Sequence, residues 1–326
     1  MPRVIKIFGV GVVVGTLLVP SFIAMAPTVT ARAVSQIKNL VVPEVKLIFV
    51  GDLMFDRGVL GSVNKNFNGD FNQLFESASF LKEADLTFGN LEGPASDVGR
   101  NVGSIYSFRM KPESLVAAQV AGFDVLSVAN NHAGDWTIDA FSDTIHRLSE
   151  LGLLYPGGGS SYTKASLVQT KKVNGVNIGF LGFTDVGPNW LAAGVASPGI
   201  LLATDPNYAE IIATAAREVD VLVVSIHFGE EYQTKSNDRQ KYLSRLAINS
   251  GAKIVVGHHP HVIQEMETYK DGVIAYSLGN FIFDQSFSKE TMEGGVLEII
   301  IQDKAIKSST LKKITLTPQY QPVPTW

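Results

Sequence analysis

The chain has 326 residues, 45% hydrophobic and 18% charged, enough apolar side chain for a large buried core, which excludes disorder as its main state. Lys and Arg number 27 against 31 Asp and Glu, a net charge of −4, and the only basic runs are the pairs at Lys171 and Lys312, so nucleic acid is not an expected partner. No cysteine is present, which excludes disulfides, thiolate metal sites, iron–sulfur clusters and a cysteine nucleophile or lipid anchor; any metal must be held by His, Asp, Glu and Asn.

Arg3 and Lys6 precede an apolar stretch from Ile7 to Pro27, and no acidic residue appears before Glu44. Residues 1–33 therefore read as a signal peptide or an N-terminal membrane anchor. Gly9, Gly11, Gly15 and Pro20, with no polar face, argue against a buried helix of the folded body. Ala31-Arg32-Ala33 fits a small-x-small cleavage site, while the stretch is also long enough to span a bilayer uncleaved, at about twenty residues. Either way the body is expected to be extracytoplasmic, membrane-anchored or secreted, with residues 34–44 as a tether.

From Val45 short β-branched runs alternate with amphipathic segments. The pattern predicts a strand at 45–51, a helix at 71–84, a strand at 84–90, a helix near 112–121, a strand at 124–128 and a helix at 137–151. Strands follow at 165–171 and 176–183, then a helix at 206–217, a strand at 220–226, a helix at 238–250, and strands at 253–257 and 273–278. Residues to about 316 are β-rich, and 317–326 read as a tail. Helices between strands imply a layered α/β domain over 45–316.

Several apolar strands run into a polar cluster: IFVGD at 48–52, TFGNLEG at 87–93, LSVANNH at 126–132, VVSIHFGEE at 223–231 and IVVGHHPH at 254–261. The carboxyl edge of such a sheet is where ligands bind, because the loops leaving the strands converge there. Five of the six histidines (His132, His227, His258, His259, His261) lie in these clusters, and only His146 elsewhere. Together with Asp52, Glu92 and Asn131 they form a donor set suited to a borderline divalent ion. Asp52 follows Gly51 and is the first expected ligand, with Asp56 as a substitute or a helix cap. Asn90 and Glu92 flank Leu91 and share a face if the strand continues, so Glu92 could bridge two ions and Asn90 orient it. Asn131 reads equally as a ligand or as the cap of the helix beginning near Trp136. Pro260 fixes the backbone between His259 and His261, and their i, i+2 spacing lets both address one site. Asn280 could help close the pocket. No GxGxxG and no GxSxG occurs, which disfavours a dinucleotide site and a serine hydrolase.

The blocks FVGDLMFDRG at 49–58, GNLEGP at 89–94, SVANNHAGDW at 127–136, HFGEEY at 227–232, GAKIVVGHHPHVIQ at 251–264 and AYSLGNFIFD at 275–284 make the chain resemble the CapA family of poly-gamma-glutamate and capsule biosynthesis proteins. The fold of that family is similar to calcineurin-like metallophosphoesterases. The resemblance implies a four-layer α/β/β/α sandwich with one or two divalent ions (Mn, Zn, Fe or Mg) at one sheet edge. It implies Asp52, Glu92, Asn131, His227, His259 and His261 as metal ligands and His132 as the phosphate-facing histidine. Met54 departs from the superfamily's Asp-x-His, and Glu92 stands where Asp is usual. One metal position is therefore expected to be looser unless Asp56 or His258 fills it.

Two functions follow as expectations. In the first, the chain is an extracytoplasmic phosphoesterase-like hydrolase in which His132 stabilises charge or protonates the leaving group and Glu231 orients a histidine. In the second, it is a non-catalytic factor for synthesis, export or attachment of an anionic surface polymer. The expected partners are an anionic polymer or a phosphoester substrate and a membrane synthase complex.

Overall fold

The computed structural model describes residues 43–326; the expected signal or anchor segment and nearly all of the tether lie outside the described residues. The chain runs β1 (Val45–Leu53), α1 (Arg57–Asn66), β2 (Leu86–Leu91), α2 (Glu113–Ala121), β3 (Val125–Ser127), α3 (Thr137–Glu150), β4 (Gly158–Gly159), α4 (Tyr162–Ala165), β5 (Gln169–Val173) and β6 (Val176–Thr184). It continues with β7 (Gly199–Ile200), α5 (Tyr208–Ala216), β8 (Val221–His227), α6 (Asp238–Asn249), β9 (Ile254–His258), β10 (Met266–Tyr269), β11 (Gly272–Ala275), β12 (Asn280–Ile282), β13 (Glu293–Gln302), β14 (Ala305–Leu316) and β15 (Pro322–Pro324).

Of the two large sheets, one has the order β15-β14-β13-β1-β2-β3, with β12 also paired to β1, and the other the order β10-β11-β9-β8-β6-β5; β4 and β7 pair as a small third sheet. Strand periodicity makes the layers. Val45, Leu47 and Phe49 of β1 meet Val221 and Val223 of β8 in a core between the sheets, because successive side chains point to opposite faces. Ile48 and Val50 face a second core with α1–α3 residues. Leu222, Val224 and Ile226 face a third core with α5 and α6 residues. Three cores separate four layers, so the expected α/β/β/α sandwich is the observed architecture. Strands β1-β2-β3 and β6-β8-β9-β11 run parallel within their sheets, which brings several strand ends to a common edge.

Local structure departs from the sequence reading where the period differs. Residues 71–84 form two 3₁₀ turns, Phe71–Phe75 and Ser79–Glu83, in place of one α-helix. The first buries Phe71, Leu74 and Phe75, and the second Phe80 and Leu81. Helix α1 went unpredicted because its apolar residues are only Val59, Leu60 and Val63, with Gly61 among them. The expected strand at 165–171 begins as α4, capped by the Ser161 hydroxyl accepting from Lys164 N, and becomes strand only at Gln169. The run at 273–278 stops at Ala275, and Asn280–Ile282 crosses to the other sheet. The last ten residues, read as a tail, carry β15 on β14, and Trp326 packs edge-on against Phe80.

Candidate metal centre

The parallel registers align the polar clusters. Asp52 is level with Asn90 on one side and Asn280 on the other, and His227 is level with His258. Strand β1 shifts register between Phe49 and Asp52 because Gly279 approaches it: a Cβ on Gly51 would lie 1.8 Å from the Gly279 carbonyl oxygen. Glycine is obligatory there, and its consequence is that the Asp52 N–H donates to that carbonyl at 2.9 Å.

Asp52, Asn90, Glu92, His227, His258 and His261 are buried at this edge. Asn90 Nδ2 donates to Asp52 Oδ1 at 2.9 Å and to Glu92 Oε2 at 3.3 Å, so it orients Glu92 and ties it to Asp52. Asn131 is not a helix cap, since α3 starts at Thr137; its Oδ1 lies 2.8 Å from His227 Nε2. Asn130 pins that loop to β2, donating to the Leu91 carbonyl at 2.7 Å. His261 Nδ1 lies 3.4 Å from Asp52 Oδ2 and 3.0 Å from Asn280 Oδ1, and its Nε2 lies 3.6 Å from Glu92 Oε1.

Potential ligand atoms fall into two groups, each within 4.8 Å of one another: Asp52, Glu92 and His227, all buried, and Glu231, His259 and His261, of which Glu231 is exposed. The alternatives for the Met54 position separate clearly. Met54 is wholly buried in the helix-side core, where its Sδ accepts from Asp56 N. The Asp56 carboxylate accepts from Arg109 N, outside both ligand groups. His258 Nδ1 lies 3.2 Å from Asp52 Oδ1 but is misaligned for a hydrogen bond.

The charges are those of a site built around a cation. Burial would raise the Asp52 carboxyl, but the imidazoles of His258 and His261 beside it hold it well below the usual carboxylate range. Burial, reinforced by the charges of Asp52 and Glu231, pushes Glu92 well up despite His261. His261 rises to about 9 because Glu92 and Asp52 overcome its burial. Burial holds His227 well below its ordinary value and lowers His259 to about 4, with other imidazoles adding to both. Six buried polar side-chain atoms lack a hydrogen-bond partner among the described residues, and four of them are here: Glu92 Oε1, both ring nitrogens of His258, and His259 Nδ1. Unsatisfied lone pairs on carboxylate and imidazole, converging without a thiol, fit a divalent ion.

His132 stands beside this set. Its Nδ1 lies 2.7 Å from Asp135 Oδ2, its ring stacks on Phe108 with centroids 4.0 Å apart, and its Nε2 is 3.9 Å from Glu92 Oε1. Asp135, which also accepts from Phe108 N at 2.8 Å, escaped the sequence reading. The available signal was an acid three residues after a histidine in a strand-end cluster. His132, Asn131, Glu231 and His261 open onto a cleft of about 700 Å³ that Arg57, Trp190 and Tyr232 also line. Four non-glycine residues at this rim hold positive φ: Arg57 (50°), Tyr232 (65°), His259 (99°) and His261 (58°). Backbone strain of this kind persists where surrounding structure enforces it, as at functional sites.

Two sheets between helical layers, with histidines and carboxylates gathered at one edge, define a metallophosphatase-like fold. Among solved structures the chain is similar to a novel phosphatase from Mycoplasma pneumoniae, at 15% identity and a TM-score of 0.51, covering 86% of this chain and 96% of that one. It is also similar to a 5'-nucleotidase precursor from Thermus thermophilus, at 14% identity and a TM-score of 0.50, covering 86% and 56%. These likenesses establish the fold. Residues 46–285 match the family described as bacterial capsule synthesis protein PGA_cap, and the chain belongs to that family. It is 34% identical over 285 residues to the capsule biosynthesis protein CapA of Bacillus anthracis, covering 83% of this chain and 67% of that protein. It is 36% identical over 244 residues to the PGA biosynthesis protein CapA of Bacillus subtilis (strain 168), covering 74% and 64%. The chain thus spans about two thirds of the length of these curated relatives.

Proposed function

We propose that the chain is a divalent-metal-dependent phosphoester hydrolase that acts outside the cytoplasm, membrane-associated through residues 1–33, in the assembly of an anionic surface polymer. The supporting observation is the pair of ligand groups at one sheet edge, Asp52, Glu92 and His227 beside Glu231, His259 and His261, with the His132–Asp135 pair facing the same cleft. The names of the CapA relatives supply the polymer context.

Asp52, Glu92, Asn131, His227, His259 and His261, with His258 behind Asp52 and Glu231 at the cleft, are the residues that would hold one or two ions of Mn, Zn, Fe or Mg. Such a cation supplies Lewis acidity toward a phosphoryl oxygen and toward the attacking water. Asn90 fixes the facing carboxylates of Asp52 and Glu92, so their geometry is set before substrate arrives. Asp135 holds the His132 ring by Nδ1, leaving Nε2 on the cleft side as the general acid toward the departing oxygen.

The test uses full-length protein purified in mild detergent. Elemental analysis is expected to find divalent metal, and hydrolysis of p-nitrophenyl phosphate and bis-p-nitrophenyl phosphate is expected to stop with chelator. His132→Ala should retain the metal while kcat falls about 10²- to 10⁴-fold, the range for loss of a general acid. Metal at background after reconstitution would overturn the proposal. Metal retained without turnover of either ester or of poly-gamma-glutamate would favour the non-catalytic factor working with a membrane synthase.

A further inference from the structure

Six aromatic side chains remain largely exposed among the described residues: Tyr106, Trp190, Tyr232, Tyr242, Phe287 and Trp326. Four of them, Tyr106, Trp190, Tyr232 and Phe287, line the one cleft above the ligand groups. Scattered apolar residues on a surface need no explanation, but a collection rimming a polar cleft marks a ligand site.

Their placement is built. Trp190 lies on the His132 side, against Gly134; a methyl group there would come within 2.6 Å of Trp190 Cζ2, so the missing side chain lets the indole sit by the catalytic loop. Tyr232 lies on the other histidine, its ring stacked with His261 at 6.2 Å, and Phe287 meets it edge-on at 5.0 Å. Tyr232 keeps a left-handed backbone, secured by its N–H donating to the Pro260 carbonyl at 2.8 Å, and its hydroxyl accepts from Gln285 at 3.2 Å.

The charges of the cleft point away from a polyanion. Its lining carries Asp135, Glu231 and Asp284, no lysine, and Arg57 as its one permanently charged cation. Arg57 is committed: it pairs with Asp284, and its guanidinium lies 4.6 Å over the Phe108 ring. A run of carboxylates would find no uncommitted basic side chain on these walls, whereas ring hydroxyls would find carboxylate and amide acceptors.

We propose that this aromatic wall is a leaving-group subsite for a phosphoester of a hydroxylated ring, a glycosyl or nucleoside phosphate, with the ring face against Trp190 or the Tyr232–Phe287 pair. The proposal rests on the phosphoesterase reading for the position of the phosphate, but ring recognition is a binding property measurable without turnover.

The experiment is calorimetric binding of glucose 1-phosphate, AMP, glycerol 3-phosphate and a γ-glutamyl decamer to full-length, manganese-loaded protein, with chelator-treated protein in parallel. At least one ring-bearing ester should bind roughly tenfold tighter than glycerol 3-phosphate, the scale of one aromatic stacking contact; the glucose and AMP arms identify the source. Trp190→Ala and Phe287→Ala should each remove most of that advantage, Trp190→Phe should keep it, and the decamer should not compete. Phe287 is 65% exposed, so its variant keeps the test valid should Trp190→Ala fail to fold. Equal affinity for ring-bearing and acyclic esters, no binding of any ring-bearing ester, or decamer competition unaffected by either alanine variant would overturn the subsite. Ring preference without turnover would keep it and remove the hydrolase reading alone.

Discussion

At the scale of single residues, the edge is organised by two amides, Asn90 and Asn131, and by His258, the first residue of the HHPH run. Asn90 joins Asp52 to Glu92, Asn131 meets His227, and His258 stands by Asp52. Two ligand groups of unequal burial predict two ions of clearly different affinity. His258→Ala should weaken the tighter step about 10- to 100-fold, the usual effect of losing a group that supports a ligand. Met54→Leu should leave both steps unchanged and cost less than about 1.5 kcal/mol of stability, since the swap nearly conserves volume in the core. Manganese titration of metal-free protein decides; a tenfold loss of affinity in Met54→Leu, or two equal steps in the wild type, would defeat this assignment.

At the scale of elements, helix α3 anchors the segment that leaves β2 after Glu92. Asp143 Oδ2 accepts from Ser96 Oγ at 2.6 Å and from Arg147 Nε at 2.8 Å, and Thr144 Oγ1 accepts from Ala95 N at 3.0 Å. Partial burial would raise Asp143, but Ser96 and Arg147, with a smaller contribution from His146, hold it below its ordinary 3.8. A carboxylate depressed in the folded state stabilises fully above its unfolded pKa, and the contribution is lost as pH falls through the folded value. Asp143→Asn should therefore cost about 1 kcal/mol at pH 7, with wild type and variant converging as pH falls through the depressed carboxyl's folded value. Urea unfolding across that range measures it; a constant difference from pH 7 to pH 2.5 would contradict the ion-pair origin.

At the scale of the whole molecule, no helix among the described residues is long and apolar enough to cross a membrane. Membrane association is proposed to run through residues 1–33, on their sequence alone. Fractionation of cells expressing the untagged chain should place the body outside the cytoplasm, with a deletion of residues 1–33 retained inside. Recovery of the intact chain from the cytosol would reject the proposed location.

The sequence pattern determined a layered α/β domain and the site's address, and the family resemblance supplied the four layers. Period-two alternation in runs such as Val45–Val50 and Val221–Ile226 dictates which side chains enter the inter-sheet core, and a strand that ends in Asp, Asn or His declares its polar end. The 3₁₀ turns at 71–83 were illegible because one or two turns carry too little periodicity to separate from neighbouring patterns, and helix α1 because two glycines stand among its few apolar residues. Only the tertiary structure decided which groups face one another. The parallel registers bring Asp52 level with Asn90 and His227 level with His258, from strands that are far apart in the chain. It also sent Met54 into the core and Asp56 to Arg109, left His258 at Asp52, and set Trp190 against Gly134. Pairings of this kind depend on register, loop path and packing across layers, which no local pattern encodes.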